Sequence, residues 1–287
     1  MNASLKLLLP HVLSQLPDHA KPFAIDVGVY RGEFSRFLID SRYFHLVLGF
    51  EPNLESYLAA EGLVCSTVGC EFKLINMALS SRPGILEFFC DGNAATSSLL
   101  QYIKGFREIC EVQRSLVKVV RLDDFLDEYS VKGSLLCLKI DTQGNDLSVI
   151  EGSVRTIALH RPVIQAEFIY VPLYEGQCQP EEVTNYLSEL NYRLYSLNNL
   201  HVNPEGGLCF CDAIFIPREL NIPITPKFHC IDDEISFHNQ IQTLTEICKD
   251  RLSLVNILDA EVKRLKSIGP NVIRLNTILS KLKSWVQ

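Results

Sequence analysis

The chain is expected to fold as an α/β protein: a doubly wound, mostly parallel sheet of seven strands, followed by a helical appendage. Three observations lead there. Short, continuous apolar runs recur along residues 23–166, and segments with helical periodicity separate them. Strands that are apolar throughout belong to parallel sheets covered on both faces. Two further apolar runs lie close together near residue 200 around Gly206-Gly207, a spacing that suits an antiparallel pair at one sheet edge.

The elements follow in order. Phe23–Val27 reads as the first buried strand, and Glu33–Asp40 as a helix that turns Phe34, Phe37 and Leu38 inward. Leu46–Phe50 is the second strand, with a helix starting near Pro52-Asn53, and Phe72–Ile75 is the third. An insertion occupies residues 80–120. It carries the apolar run Ile85–Cys90 and a loop of small polar residues, Asp91 to Ser98, of the kind that caps a site at the C-terminal edge of a parallel sheet. Leu135–Ile140 and Pro162–Ala166 are the fourth and fifth parallel strands, with helix between them. Tyr192–Ser196 and Cys209–Ile216 form the antiparallel pair.

Pro217, Pro223 and Pro226 mark a change of character, which divides the chain into a domain over 1–218 and a helical tail over 219–287. In the tail, Ile241, Leu244, Cys248, Val255, Leu258, Val262 and Leu265 recur at helical spacing up to Gly269-Pro270. A second amphipathic helix is expected over 272–287. Residues 263–287 are basic, with Lys263, Arg264, Lys266, Arg274, Lys281 and Lys283 and no acidic residue. Packing on the first domain or self-association into a homo-oligomer is the first reading of this stripe. Peripheral membrane contact is the second.

Bulk composition narrows the function classes. A formal net charge of −7 over 287 residues argues against general nucleic-acid binding, which needs a cationic footprint. Ten cysteines are scattered without a C-x-x-C spacing, several inside apolar runs, and read as small buried hydrophobes in a reducing cytoplasm. Zinc held by Cys209, Cys211 and a distant histidine is a minor alternative. The apolar N-terminal stretch is interrupted by Pro10 and lacks a small-residue cleavage site, so it does not read as a secretory signal. No segment reaches 18 uninterrupted apolar residues.

The strongest chemical signal is Asp26-Val-Gly28-Val-Tyr30-Arg-Gly32 at the junction of the first strand and first helix. Gly28 and Gly32 allow a tight turn and close approach of a ligand to the backbone. A dinucleotide fold places Gly where Asp26 stands. A carboxylate repels a pyrophosphate but suits a ligand with an ammonium and a sulfonium, which favours S-adenosylmethionine over NAD. Glu51, at the tip of the second strand and 25 residues after Asp26, can accept both ribose hydroxyls.

At this point the sequence resembles the FkbM-like methyltransferases. The resemblance rests on Ile25–Ser35, Gly49-Phe-Glu-Pro52, Asn76-Met-Ala-Leu-Ser80 and Arg121-Leu-Asp123. It continues through Leu138-Lys-Ile-Asp-Thr-Gln-Gly144, Val149-Ile-Glu-Gly-Ser153 and Arg161-Pro-Val-Ile-Gln-Ala-Glu167, and spans about residues 23–216 in order. It implies a class I methyltransferase-like (Rossmann-like) sheet and O-methylation of a sugar, glycan or other small natural-product acceptor. The implied cofactor-binding set is Asp26, Gly28, Tyr30, Gly32, Glu51, Pro52, Asn76, Ala78 and Asp141. The chain departs from the family pattern at Tyr30, where Asn is usual, at Gln143, where Glu is usual, and at Asp146, also usually Glu.

A hydroxyl is a poor nucleophile until its proton is leaving, so a general base is expected near the acceptor. Asp141 and Glu167 end consecutive parallel strands, and Lys139 shares a strand face with Asp141. These three are the catalytic candidates, Asp141 first. The competing reading makes Lys139 and Asp141 a structural ion pair and Glu167 a turn residue. Asp123 reads as a helix cap. His160 and His201 read as surface or turn residues, His201 being kept as an alternative base. Ser97-Ser98 divides evenly between ligand contact and solvated loop. Two rival functions stand beside the leading one: a methyltransferase fold that binds without turnover, and an NAD-dependent oxidoreductase.

Overall fold

The computed structural model describes residues 3–17, 19–64, 69–90, 94–103 and 112–222. The elements are α1 (Ala3–Leu13), β1 (Pro22–Val27), α2 (Glu33–Asp40), β2 (Leu46–Phe50), α3 (Leu54–Val64) and β3 (Glu71–Ile75). They continue with β4 (Ala78–Leu79), β5 (Gly84–Cys90), β6 (Gln113–Val120), α4 (Leu122–Tyr129), β7 (Ser134–Ile140) and α5 (Asp146–Glu151). The last are α6 (Val154–His160), β8 (Val163–Ile169), α7 (Pro180–Glu189), β9 (Tyr192–Val202) and β10 (Leu208–Pro217). The tail helices, their self-association and their membrane contact fall in residues outside those described.

The seven-stranded sheet runs β3-β2-β1-β7-β8-β10-β9. The pairs from β3 to β8 are parallel, and β10 is antiparallel to both β8 and β9. The strand order reverses between β1 and β7. That reversal opens a crevice at the C-terminal strand ends, where α/β sheets take their ligands.

Alternation along β1 divides the core. Phe23, Ile25 and Val27 face one apolar layer with Phe125, Ile150, Ile157 and Leu187 from the helices α4–α7. Ala24 faces the other layer, where Leu5, Leu8, Leu9 and Val12 of α1 meet Leu38 and Ile39 of α2. The N-terminal stretch broken by Pro10 in sequence is thus a helix running through it to Leu13. Its four core residues lie at i, i+3, i+4 and i+7. Burying three leucines and a valine contributes roughly 6–8 kcal/mol, which outweighs the ~3 kcal/mol cost of an internal proline.

The described part of the insertion holds more regular structure than its sequence suggests. β4, β6 and β5 make a separate three-stranded sheet with its own small core of Ala78, Phe88, Val117 and Val119. A second cluster, Phe89 and Tyr102 against Ile169 and Tyr174, ties this insertion to the end of β8. At the other end of the domain, Leu220 and Ile222 still pack on the α1 layer, so the compact unit runs to Ile222.

Asp123 does cap a helix, but not its own. Its carboxylate accepts hydrogen bonds from Arg155 N (3.1 Å), Thr156 N (2.9 Å) and Thr156 Oγ1 (2.8 Å), the first turn of α6. The residue is buried, so these bonds replace water entirely. Asp123→Ala is expected to destabilise the domain by about 2–3 kcal/mol, since a buried helix end is left unsatisfied. A chemical-denaturation midpoint checks this, and Asp123→Asn, which keeps one acceptor oxygen, should lose less.

Candidate cofactor and active site

The site begins where β1, β2 and β7 end together. Gly28 N donates to Phe50 O (2.9 Å) and Asp141 N to Val27 O (3.0 Å), which closes the three strand ends on one another. Gly28 has φ +78°, and a Cβ placed there would lie 1.9 Å from the Asp141 carbonyl oxygen. Only glycine fits. Gly32 takes φ +88° as the chain enters α2. Tyr30 sits between them at φ +54°, a left-handed conformation that asparagine and glycine tolerate better.

Glu51 gathers the opposite wall. Its Oε2 accepts Tyr30 N (2.7 Å) and its Oε1 accepts Asn53 N (2.8 Å). Asn76 fixes that loop from behind, donating to Glu51 O (2.8 Å) and Pro52 O (3.1 Å). Burial pushes the Glu51 carboxyl up to about 7, against the pull of the two backbone N–H groups. Each oxygen keeps acceptor capacity beyond its one backbone donor.

Under the β1–β7 junction lies a buried ion pair. Lys139 Nζ is 3.1 Å from Asp26 Oδ1 and 3.5 Å from Asp141 Oδ2, and it donates to Gly28 O at 2.7 Å. Ser35 Oγ of α2 donates to Asp26 Oδ2 at 2.6 Å. Burial draws the ammonium down, but Asp26 and Asp141 outweigh it and the net shift is upward. Lys139 therefore stays charged.

Beyond Asp141 the chain passes through Gln143 (φ +55°) and Gly144 (φ +88°) into α5. Gln143 Nε2 donates to Asp141 Oδ1 (3.1 Å) and to Glu167 Oε2 (2.7 Å). Glu167 lies within β8 rather than at its end. Burial, then the charges of Asp141 and Asp146, hold its carboxyl well above the usual range. Asp146 is also fully buried and raised to about 7, mainly by desolvation. It accepts from Thr142 Oγ1 (3.0 Å) and Glu167 N (3.3 Å), which locks the two loops together.

These strand ends enclose a cavity of about 280 Å³. Its wall combines apolar side chains, among them Phe50, Pro52, Met77, Leu79, Phe88 and Leu99, with Gly28 and the polar Glu51, Asp141, Gln143 and Glu167. Tyr30 and Ala78 also line it. Four expected site residues do not. Asp26 is turned to the α2 face of the sheet and fully buried against Lys139 and Ser35. The expectation that Asp26 meets a cationic ligand is corrected by that geometry: Lys139 occupies the carboxylate. Lys139, Gly32 and Asn76 act one step behind the wall, as ion-pair partner, helix entry and loop tether.

Other expectations resolve simply. His160 Nδ1 accepts Leu135 N at 3.3 Å, at the start of β7 and the opposite end of the sheet. His201 stacks on Phe210 and does not line the cavity. Cys137 and Cys211 are core residues. Among the described residues no group of His, Cys, Asp or Glu is arranged to hold a metal, and no helix is long and apolar enough to cross a membrane. Ser98 is buried and donates to Gln143 O (2.8 Å), whereas Ser97 lines the cavity. Sequence reasoning registered Gln143 only as a departure; its long-range bonds left no local signal.

Removing the ammonium isolates Asp26. Lys139→Met is expected to destabilise the domain by about 3–5 kcal/mol near neutral pH, the range for a buried charge stripped of its partner. Burial already holds the Asp26 carboxyl above its usual range against the pull of Lys139 and Ser35, and loss of the ammonium raises it further, so the deficit should shrink as pH falls. Urea denaturation at pH 5 and pH 8 measures both.

Comparison with known proteins follows the same line. Residues 26–194 match the family model of the methyltransferase FkbM domain. Among solved structures, a methyltransferase FkbM from Methylobacillus flagellatus is 17% identical with a TM-score of 0.44, over 69% of this chain and 45% of that one. The chain thus spans less than half of that protein's length. A Streptococcus mutans protein solved in complex with SAH is 11% identical, TM-score 0.41, over 75% of this chain and 99% of that one. An rRNA methylase from Streptococcus thermophilus is 9% identical, TM-score 0.42, over 76% and 98%. No curated protein matches. The family match takes in β1 through the start of β9, with the cavity wall from Gly28 to Glu167 inside it, and on that match the chain belongs to the FkbM methyltransferase domain family.

Proposed function

We propose that this chain binds S-adenosylmethionine and methylates a hydroxyl on a sugar, glycan or other small natural-product acceptor. The observation that carries the reading is one cavity at the strand-order reversal that brings Gly28, Glu51, Asp141 and Glu167 together. The residues fit the cofactor's chemistry. The apolar side chains of the wall suit a purine, Glu51 keeps acceptor capacity for ribose hydroxyls, and the carboxyl groups of Asp141 and Glu167 suit a cation. Ser97 Oγ is buried with no hydrogen-bond partner among the described residues, as a group reserved for a ligand would be. The acidic chain as a whole disfavours a nucleic-acid acceptor.

When bound, the cofactor supplies an electrophilic methyl group on a sulfonium. The protein's share is to orient the acceptor and take its proton. Lys139 does not serve as base, because Asp26 keeps it protonated. Glu167 holds its proton above the usual carboxylate range, which suits it to donate a hydrogen bond to a polar group. Asp141 is the carboxylate assigned the acceptor's proton. It lies at the cavity wall, one oxygen facing Lys139 and the other facing Gln143.

Calorimetric titration with S-adenosylhomocysteine tests the reading. Saturable binding is expected, with no binding of NAD. Glu51→Ala should weaken it about 10–100-fold, the loss of one or two charge-assisted hydrogen bonds. Absence of binding to the intact protein overturns the proposal.

A further inference from the structure

We propose that Gln143 is a positioning residue that clamps the Asp141 and Glu167 carboxyl groups together and couples them to the loop roofing the cavity. The inference deepens the functional reading above and rests on it for its catalytic meaning, though the clamp itself stands on geometry.

One nitrogen spends both its hydrogens on the pair: Nε2 reaches Asp141 Oδ1 at 3.1 Å and Glu167 Oε2 at 2.7 Å. The other end of the amide is also held, since Tyr174 OH lies 2.9 Å from Gln143 Oε1. Two carboxyl oxygens on one side of the amide place the NH₂ toward the acids and leave the oxygen toward the tyrosine, whose single hydroxyl hydrogen is shared with a second acceptor. The same tyrosine hydroxyl is 2.8 Å from Thr96 O, and Ser98 Oγ donates to the Gln143 carbonyl at 2.8 Å. Side chain and backbone of one residue therefore join the roof segment around residues 96–98 to the acids at the cavity floor.

A neutral amide is the right bridge for this place. The groups facing Glu167 are Asp141 after β7, Asp146 of α5 and Asp212 of β10, all acidic. Lys139 of β7 reaches Asp141 Oδ2 rather than Glu167 by the contacts formed, and it is itself shared with Asp26. N–H donors stabilise ionised carboxyl groups without adding charge. With them, the two carboxyl groups are held at fixed positions on the cavity wall. Without them, Glu167 holds its proton to still higher pH and the two acids lose their shared tether.

The test is an infrared pH titration of the carboxylic-acid C=O band in the ligand-free protein, with Glu167→Gln identifying the band by its loss. Gln143→Met keeps length and the left-handed backbone but has no N–H, so strain is unchanged and only the clamp is removed. The midpoint of the band is expected to move up by roughly one pH unit, the scale of a lost hydrogen bond to a carboxylate. Tyr174→Phe, which frees the amide without touching either acid, should move it the same way by less. An unchanged midpoint in a folded Gln143→Met protein, or in Tyr174→Phe should the first variant not fold, overturns the clamp. Calorimetry with S-adenosylhomocysteine on the wild-type protein runs beside it. A shifted band without nucleoside binding would retain the clamp and reject the methyltransferase reading, and binding with an unshifted band would do the reverse.

Discussion

The ammonium of Lys139 is the constraint on which the cavity floor depends. Three groups that would otherwise separate meet on it: the Asp26 carboxylate of β1, the Gly28 carbonyl in the first turn, and the Asp141 carboxylate after β7. Asp26 and Lys139 are register partners on adjacent parallel strands, so the sheet delivers the two charges side by side. Burying them is unfavourable in itself, and the gain is in geometry. A turn fixed at Gly28 fixes the direction of α2 and the wall that ends in Tyr30 and Glu51.

The sheet uses its two faces differently near this end. On the side of α4–α7 the strands remain apolar to their tips, with Val27, Ile140, Ala166 and Phe168 in one layer. On the side of α1 and α2 the apolar layer gives way to Asp26, Lys139 and Gln165, all buried. A rigid hydrocarbon layer behind and a polar layer in front let strand ends carry charge without loosening the fold. The Asp146 carboxyl, fully buried at the start of α5, pins the Thr142 loop to β8.

Much of this was legible in the sequence because parallel strands are apolar throughout, and such runs need no partner to be recognised. Phe23–Val27, Leu46–Phe50 and Leu135–Ile140 are all of that kind. The antiparallel pair was legible from two apolar runs flanking Gly206-Gly207. β6 was not, because only Val117 and Val119 turn inward while Arg114, Leu116 and Lys118 face out. α1 was hidden by Pro10, whose cost is met only by a core the sequence does not display. The glycine turn and Glu51 announced the cavity by spacing. The side chains that organise it did so less clearly: Gln143 bonds a residue 24 positions away and another 31 positions away, and Asp26 looks from spacing like a ligand group when its partner is Lys139.

The small sheet of β4, β6 and β5 has its own core and contributes Ala78 and Phe88 to the cavity, yet it adds no strand to the seven-stranded sheet. The cavity wall is thereby drawn from two sheets of the same domain, each with its own core. Substitutions in β5 and β6 bear on the small core of Ala78, Phe88, Val117 and Val119, while the buried charges under β1 and β7 keep their own packing. Such a division lets side chains on the small sheet's part of the wall be exchanged while the strand ends that carry Gly28, Glu51 and Asp141 keep their own supports.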